Sequence, residues 1–239
     1  MRILPFILLA LLFTACMNAP EIERDNLRRG ARDAEPEQHE AKRAELRTVL
    51  GGGADSPRDA DPHLRATAAQ GLGMLGYADD YEALLDALLG PLADENMLVR
   101  MECAIALGKL AYSGRTDERR LEVILQLRRR VAFERDDNGR LFETEFLVRS
   151  AMLNSLIAIG GRDSAAAIHD IASRIHSDLE STEAVFTSAS DRGLLDRCFQ
   201  GLAALTGVPL REAADNRFAS DDLTDHIDWW ASRISEMPE

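Results

Sequence analysis

Aromatic residues are scarce in this chain, at 5% of its 239 positions. Hydrophobic residues nonetheless make up 46%, and Ala and Leu carry most of that content. Such a core suits closely packed helices better than a β-sandwich, which favours aromatic and β-branched residues. Positive charge is also in short supply. Lys and Arg number 28 against 41 Asp and Glu, for a formal net charge of −13. A chain this acidic repels phosphate backbones, so no nucleic-acid partner is expected. Basic proteins, basic peptides or cations fit the charge, and so does plain solubility. The three cysteines are Cys16, Cys103 and Cys198. The last two fall on apolar faces of predicted helices and read as buried free thiols, pairing only if the fold brings them close. There is no Gly-x-Ser-x-Gly, no phosphate loop and no dinucleotide fingerprint, so no cofactor is expected.

A membrane-spanning run is lacking too. The apolar stretch Ile3 to Phe13, interrupted by Pro5, is shorter than the about 20 residues a bilayer requires. It suits the h-region of a signal peptide over residues 1–15, with Arg2 as the positive n-region. The run ends in Phe13-Thr14-Ala15-Cys16, which resembles a bacterial lipobox. That resemblance implies acylation of Cys16 (palmitate among the acyl chains) and cleavage before it, giving stable membrane attachment. Phe13 departs from the usual Leu. The alternative is ordinary secretion with cleavage after Ala15 or Ala19. Met17 rather than Asp after the cysteine implies delivery to the outer membrane, facing the periplasm. Residues 16–37 are polar, mixed in charge and without apolar periodicity, and read as a lipid-anchored flexible tether.

What the chain does have is repetition. Three fourteen-residue windows align without gaps: HLRATAAQGLGMLG (63–76), LVRMECAIALGKLA (98–111) and LVRSAMLNSLIAIG (147–160). Arg65, Arg100 and Arg149 share one position, and Leu72, Leu107 and Leu156 another. Apolar residues recur in steps of four, four and three, as in Leu64, Ala68, Leu72 and Leu75, which traces one stripe of an α-helix. A fainter copy, residues 194–207, keeps Leu195, Phe199 and Leu202, with Arg197 displaced by one place. An acid precedes each arginine by six residues: Asp59, Asp94, Glu143 and Asp191. Such an acid can cap the helix start and reach the arginine of its own first turns. Partner helices are predicted over 39–50, 80–92, 117–133 and 163–177, so the chain reads as stacked helix pairs.

The pattern acid-x(5)-Arg-x(6)-Leu-Gly is similar to the second helix of a HEAT or HEAT-like repeat, and the likeness extends over residues 38–207. Armadillo repeats are the near alternative, whereas no Trp-Leu-Gly-Tyr pattern supports tetratricopeptide repeats. The resemblance implies an all-α, right-handed α-solenoid of about four helix pairs. It also implies a non-enzymatic scaffold for a protein or peptide partner, held at the membrane by the lipid. Some HEAT-like proteins are enzymes, and a pocket on the concave face is the third-ranked reading, because no paired acid and base or nucleophile group is visible. Residues 208–239 form a capping segment, with Leu223, Ile227, Trp230 and Ile234 on one stripe and Asp221 or Asp222 as the helix cap. Trp229 is either part of that cap or an aromatic anchor for a ligand.

Two further groups of polar residues remain. Asp59, Asp61 and His63 before a helix read as capping rather than as a metal site, and His39, His169, His176 and His226 read as surface residues. The segment ERDDNGRLFETE (134–145) fits a twelve-residue calcium-loop template, with Glu134, Asp136, Asn138 and Glu145 as candidate ligands and Gly139 at the turn. Glu134 replaces the usual Asp and no second copy exists. The alternatives are a calcium-dependent binding module and an elongated loop turning at Asp137-Asn138-Gly139.

Overall fold

A computed structural model describes residues 19–52, 57–90, 93–132, 143–180, 189–219 and 223–238. It is all-α. In chain order the helices are α1 (Ala19–Arg32), α2 (His39–Gly51), α3 (Pro62–Leu75), α4 (Tyr81–Leu89), α5 (Met97–Leu107) and α6 (Glu118–Val131). They continue as α7 (Phe146–Ile159), α8 (Gly161–Glu180), α9 (Ala189–Thr206), α10 (Leu210–Ala219) and α11 (Leu223–Ser235). Among the described residues there is no strand, only an isolated bridge between Tyr77 and Ala111. None of their helices is long and apolar enough to cross a membrane.

The helices form two layers. Each of α1, α3, α5, α7 and α9 packs on the next of that series, and α2, α4, α6, α8 and α11 do the same. The pairs α2/α3, α4/α5, α6/α7 and α8/α9 join the layers, making an α-solenoid of four helix pairs. The repeated stripe supplies the core between the layers. Leu64, Ala68, Leu72, Val99, Cys103, Leu107, Val148, Met152 and Leu156 are all buried, and burying each large aliphatic side chain contributes about 1.5–3 kcal/mol.

Local chemistry fixes the helix starts. Asp61 accepts from the His63 N–H at 2.8 Å, with Pro62 in the first turn. Asn96 and Asp117 cap α5 and α6 in the same way. These caps satisfy N–H groups that have no partner inside the helix. Small residues then set the spacing of the second layer. A Cβ on Gly73 would lie 2.9 Å from the Ala106 Cα, and one on Gly108 would lie 2.8 Å from the Ser155 Cα. No side chain fits at either crossing, so successive helices approach to backbone contact.

The N-terminal segment differs from its expected form. Residues 17–37 were to be a flexible coil, yet α1 occupies Ala19–Arg32 and packs on α3 as α3 packs on α5. Leu27 and Ala31, one turn apart, are both buried, and Arg28 donates to the Gln70 side chain. Two apolar residues are too few to register as a period, but they suffice to seat a helix on a surface already formed. Among the described residues the stack therefore begins with this second-layer helix. Cys16 lies outside the described residues, as do Asp221 and Asp222.

Candidate interaction surface

Every repeat arginine is buried or nearly so, and each holds two repeats together. Arg65 donates from Nε and Nη2 to both Asp94 oxygens, at 2.6 and 2.9 Å. Arg100 does the same to Glu143, at 2.9 and 3.2 Å, and Arg149 donates to Asp191 at 2.8 Å. The pairing with the acid six residues upstream is thus corrected. That acid offers its backbone instead, since Arg65 Nη1 bonds the Asp59 carbonyl and Arg100 Nη1 the Asp94 carbonyl. Each acid carboxylate also accepts the N–H two residues on: Asp61 for Asp59, Asn96 for Asp94, Glu145 for Glu143. One acid therefore closes its own helix entry and receives the previous repeat's arginine. A helical side chain points toward the N-terminus, and the neighbouring repeat presents its acid there.

The electrostatics follow from burial. Burial alone would raise the Asp94 carboxyl, but the Arg65 guanidinium and the Asn96 N–H outweigh it and hold it below the ordinary carboxylate range. Burial lowers Arg149, and Asp191 opposes that shift. Cys103 and Cys198 are free thiols on α5 and α9, with α7 between their helices. Burial raises both, Cys198 to about 12, which leaves them protonated and unreactive.

The first-helix layer has its own ion pairs, which the repeat windows do not contain. Arg43 donates to both oxygens of the fully buried Asp80 at 2.9 and 3.1 Å, and Arg47 joins them. Arg120 bonds Asp163 and the Gly160 carbonyl. The only sequence signal was an acid just before α4 and another in the first turn of α8, lying 37 and 43 residues after an arginine.

The histidines also depart from expectation. His226 is 2% exposed and His176 is buried as well. Trp230 Nε1–H donates to His226 Nε2 at 3.1 Å, so Nδ1 carries the proton and donates to Asn216 Oδ1 at 2.7 Å. His169 and His176 of α8 bond the Ile227 carbonyl and the Thr224 hydroxyl of α11. These rings fasten the C-terminal helix. Trp230 is fully buried, and Trp229 packs half-buried between His226 and Arg233.

Glu134, Asp136 and Asn138 lie outside the described residues. Glu145 is exposed where α7 begins, and Glu143 is engaged by Arg100. Among the described residues no three His, Cys, Asp or Glu side chains are grouped to hold a metal ion.

The outward face of the first-helix layer carries a groove of about 510 Å³ between α4 and α6, with Tyr81 and Leu85 on its walls. Glu82, Asp86, Glu118 and Glu122 line it. Leu121 and Leu125 stand beside it on α6, each 41% exposed.

The family profile of HEAT repeats matches residues 56–135, from just before α3 to just past α6. The chain is therefore HEAT-like over that stretch, and the arginine–acid ladder carries the same arrangement on to Asp191. HEAT repeats generally serve as protein-interaction scaffolds and are typically non-enzymatic. A comparison with curated proteins finds no significant match.

Proposed function

We propose that this protein is a membrane-anchored, protein-binding scaffold of the cell envelope, held by acyl groups on Cys16 and facing the periplasm. The observation that carries the scaffold half is the stack itself. Four helix pairs share one core, and their interior arginines are committed to joining repeats. A solenoid built this way presents extended surface and changes little when a partner binds. The partner is a protein or peptide, with basic character favoured by the net charge of −13. The anchor half rests on the lipobox-like Phe13-Thr14-Ala15-Cys16. With α1 starting at Ala19, little chain separates Cys16 from the folded stack. The anchor would hold the domain against the membrane surface rather than on a long tether.

Two measurements test the halves separately. The anchor requires that the chain incorporate labelled palmitate in bacterial cells and that Cys16→Ser abolish it and release the protein from membranes. Unlabelled wild-type protein ends that part. For the scaffold, photo-crosslinkers at exposed positions of each layer in the full chain should capture one envelope protein from contiguous positions on a single face. Failure at every position overturns the scaffold reading.

A further inference from the structure

Helix α6 is apolar on two sides, and the stack covers only one. Val123, Ile124, Leu127 and Val131 are buried, whereas Leu121 and Leu125, one turn apart on a different side of the helix, are each 41% exposed. An exposed leucine pair is unremarkable by itself. Beside it, in the α4/α6 groove, stand four exposed carboxylates, Glu82, Asp86, Glu118 and Glu122. Among the described residues none of them has a cation within ion-pair distance. Among the described residues Glu82 accepts from the Tyr81 hydroxyl and Glu122 from the Gln126 amide. Arg119, the cation on the groove wall, is already engaged by Asp117 and Asp79. Four carboxylates therefore surround Tyr81 and Leu85 next to the Leu121–Leu125 ridge.

The carboxylates flank the leucine pair on the α4 side and at the start of α6, while Arg128 and Arg129 stand past Leu125 toward the end of α6. We propose that the outward face of α4 and α6 docks a basic amphipathic helix. Its apolar side would cover Leu121 and Leu125, while its Lys or Arg side chains meet Glu82, Asp86, Glu118 and Glu122. This rests on the scaffold reading and assigns its partner's chemistry. The apolar contact supplies the affinity, and the carboxylates supply the choice of a basic partner and the speed of encounter.

The test is calorimetric titration of the full chain with three synthetic helices of about 14 residues. The first is a Leu/Lys helix, the second an Ala/Lys helix of the same charge, and the third a Leu/Glu helix. The Leu/Lys helix should bind one per chain, and the other two at least about tenfold more weakly. Leu121→Ser/Leu125→Ser should weaken it about tenfold, and so should Glu118→Gln/Glu122→Gln. The Gln variant should also lose much of the dependence on salt seen in the wild type up to about 0.5 M. All four side chains are exposed, so unchanged melting curves would certify that both variants fold. Equal binding of the Leu/Lys and Ala/Lys helices overturns the proposal, because it means general attraction to an acidic chain. Unchanged affinity in the Ser variant, or no binding at all, overturns it too. If an envelope protein still crosslinks to Leu121→Ser/Leu125→Ser from another face, this assignment falls and the scaffold reading stands.

Discussion

Arg65 is bonded to Asp94, 29 residues ahead, and not to the carboxylate of Asp59, six residues behind. Both partners are almost fully buried. Truncating one leaves the other as an unpaired buried charge, so Asp94→Ala should lower unfolding stability by about 3 kcal/mol. It should do so cooperatively across repeats α2/α3 and α4/α5. Replacing both partners, as in Arg65→Met/Asp94→Leu, removes the stranded charge and should recover most of the loss. Urea titration followed by circular dichroism measures both. A double variant no more stable than Asp94→Ala would mean that the pair contributes through something other than burial of its charges.

How much of this was legible follows from distance along the chain. The stripes of Leu64 to Leu75, Val99 to Leu110 and Val148 to Ile159 repeat at helical spacing, so the helices and their stacking could be read directly. Arg65, Arg100 and Arg149 stood out for the same reason. Their partners did not, because Asp59 and Asp94 are equally plausible mates for Arg65 until the register between repeats is known. The Arg43–Asp80 pair left no periodic trace. His226 resembled a surface histidine because nothing near it in sequence shows that Trp230 and Asn216 close over both ring nitrogens. The α4/α6 groove was equally hidden. Glu82 and Asp86 lie on one helix and Glu118 and Glu122 on another, and only the side-by-side packing of α4 and α6 brings them together.

The ladder predicts a pH profile with a definite sign. Asp94 is held below its ordinary range despite burial, and Asp117 is lowered by hydrogen bonds from Arg119 and Ser113. Protons therefore bind these groups more readily in the unfolded chain, whose aspartates titrate at about 3.9. The stability they provide is fully present above that value and is lost as pH falls through it toward the folded-state values. Tm should be insensitive to these groups between about pH 5 and 7 and fall steeply below about pH 4. In Asp94→Asn the neutral-pH Tm should drop and the acid limb should flatten. An acid limb of unchanged steepness would assign the loss to other carboxylates.

Trp230 is fully buried where α11 packs on α8, and its indole N–H is bonded to His226. Trp230→Ala creates a cavity and strands the ring nitrogen of His226, which should cost at least about 3 kcal/mol. Phe at the same position fills much of the space and should cost less. Because α11 packs on α8 far from α3 and α5, the loss should appear first as weaker hydrogen-exchange protection in α8 and α11, with α3 and α5 still protected. Equal loss throughout would show that the solenoid unfolds as one unit.

Whether α1 is a structural element or a spacer can be decided at Leu27. This side chain is buried against α3, and Ala31 one turn on fits beside Gly71, where an added Cβ would lie 3.3 Å from the Ala31 methyl. Leu27→Ser removes the larger of two apolar contacts and leaves a hydroxyl facing the core, so stability should fall by about 2 kcal/mol. A solvated spacer would tolerate the change within about 0.5 kcal/mol. Ile22, exposed on the same helix, is the internal control, and Ile22→Ser should leave Tm unchanged. If Leu27→Ser and Ile22→Ser behave alike, the stack begins at α2 and α1 contributes nothing to it. If only Leu27→Ser destabilises, the folded domain starts next to Cys16, and an acyl group there would fix how the solenoid stands on the membrane.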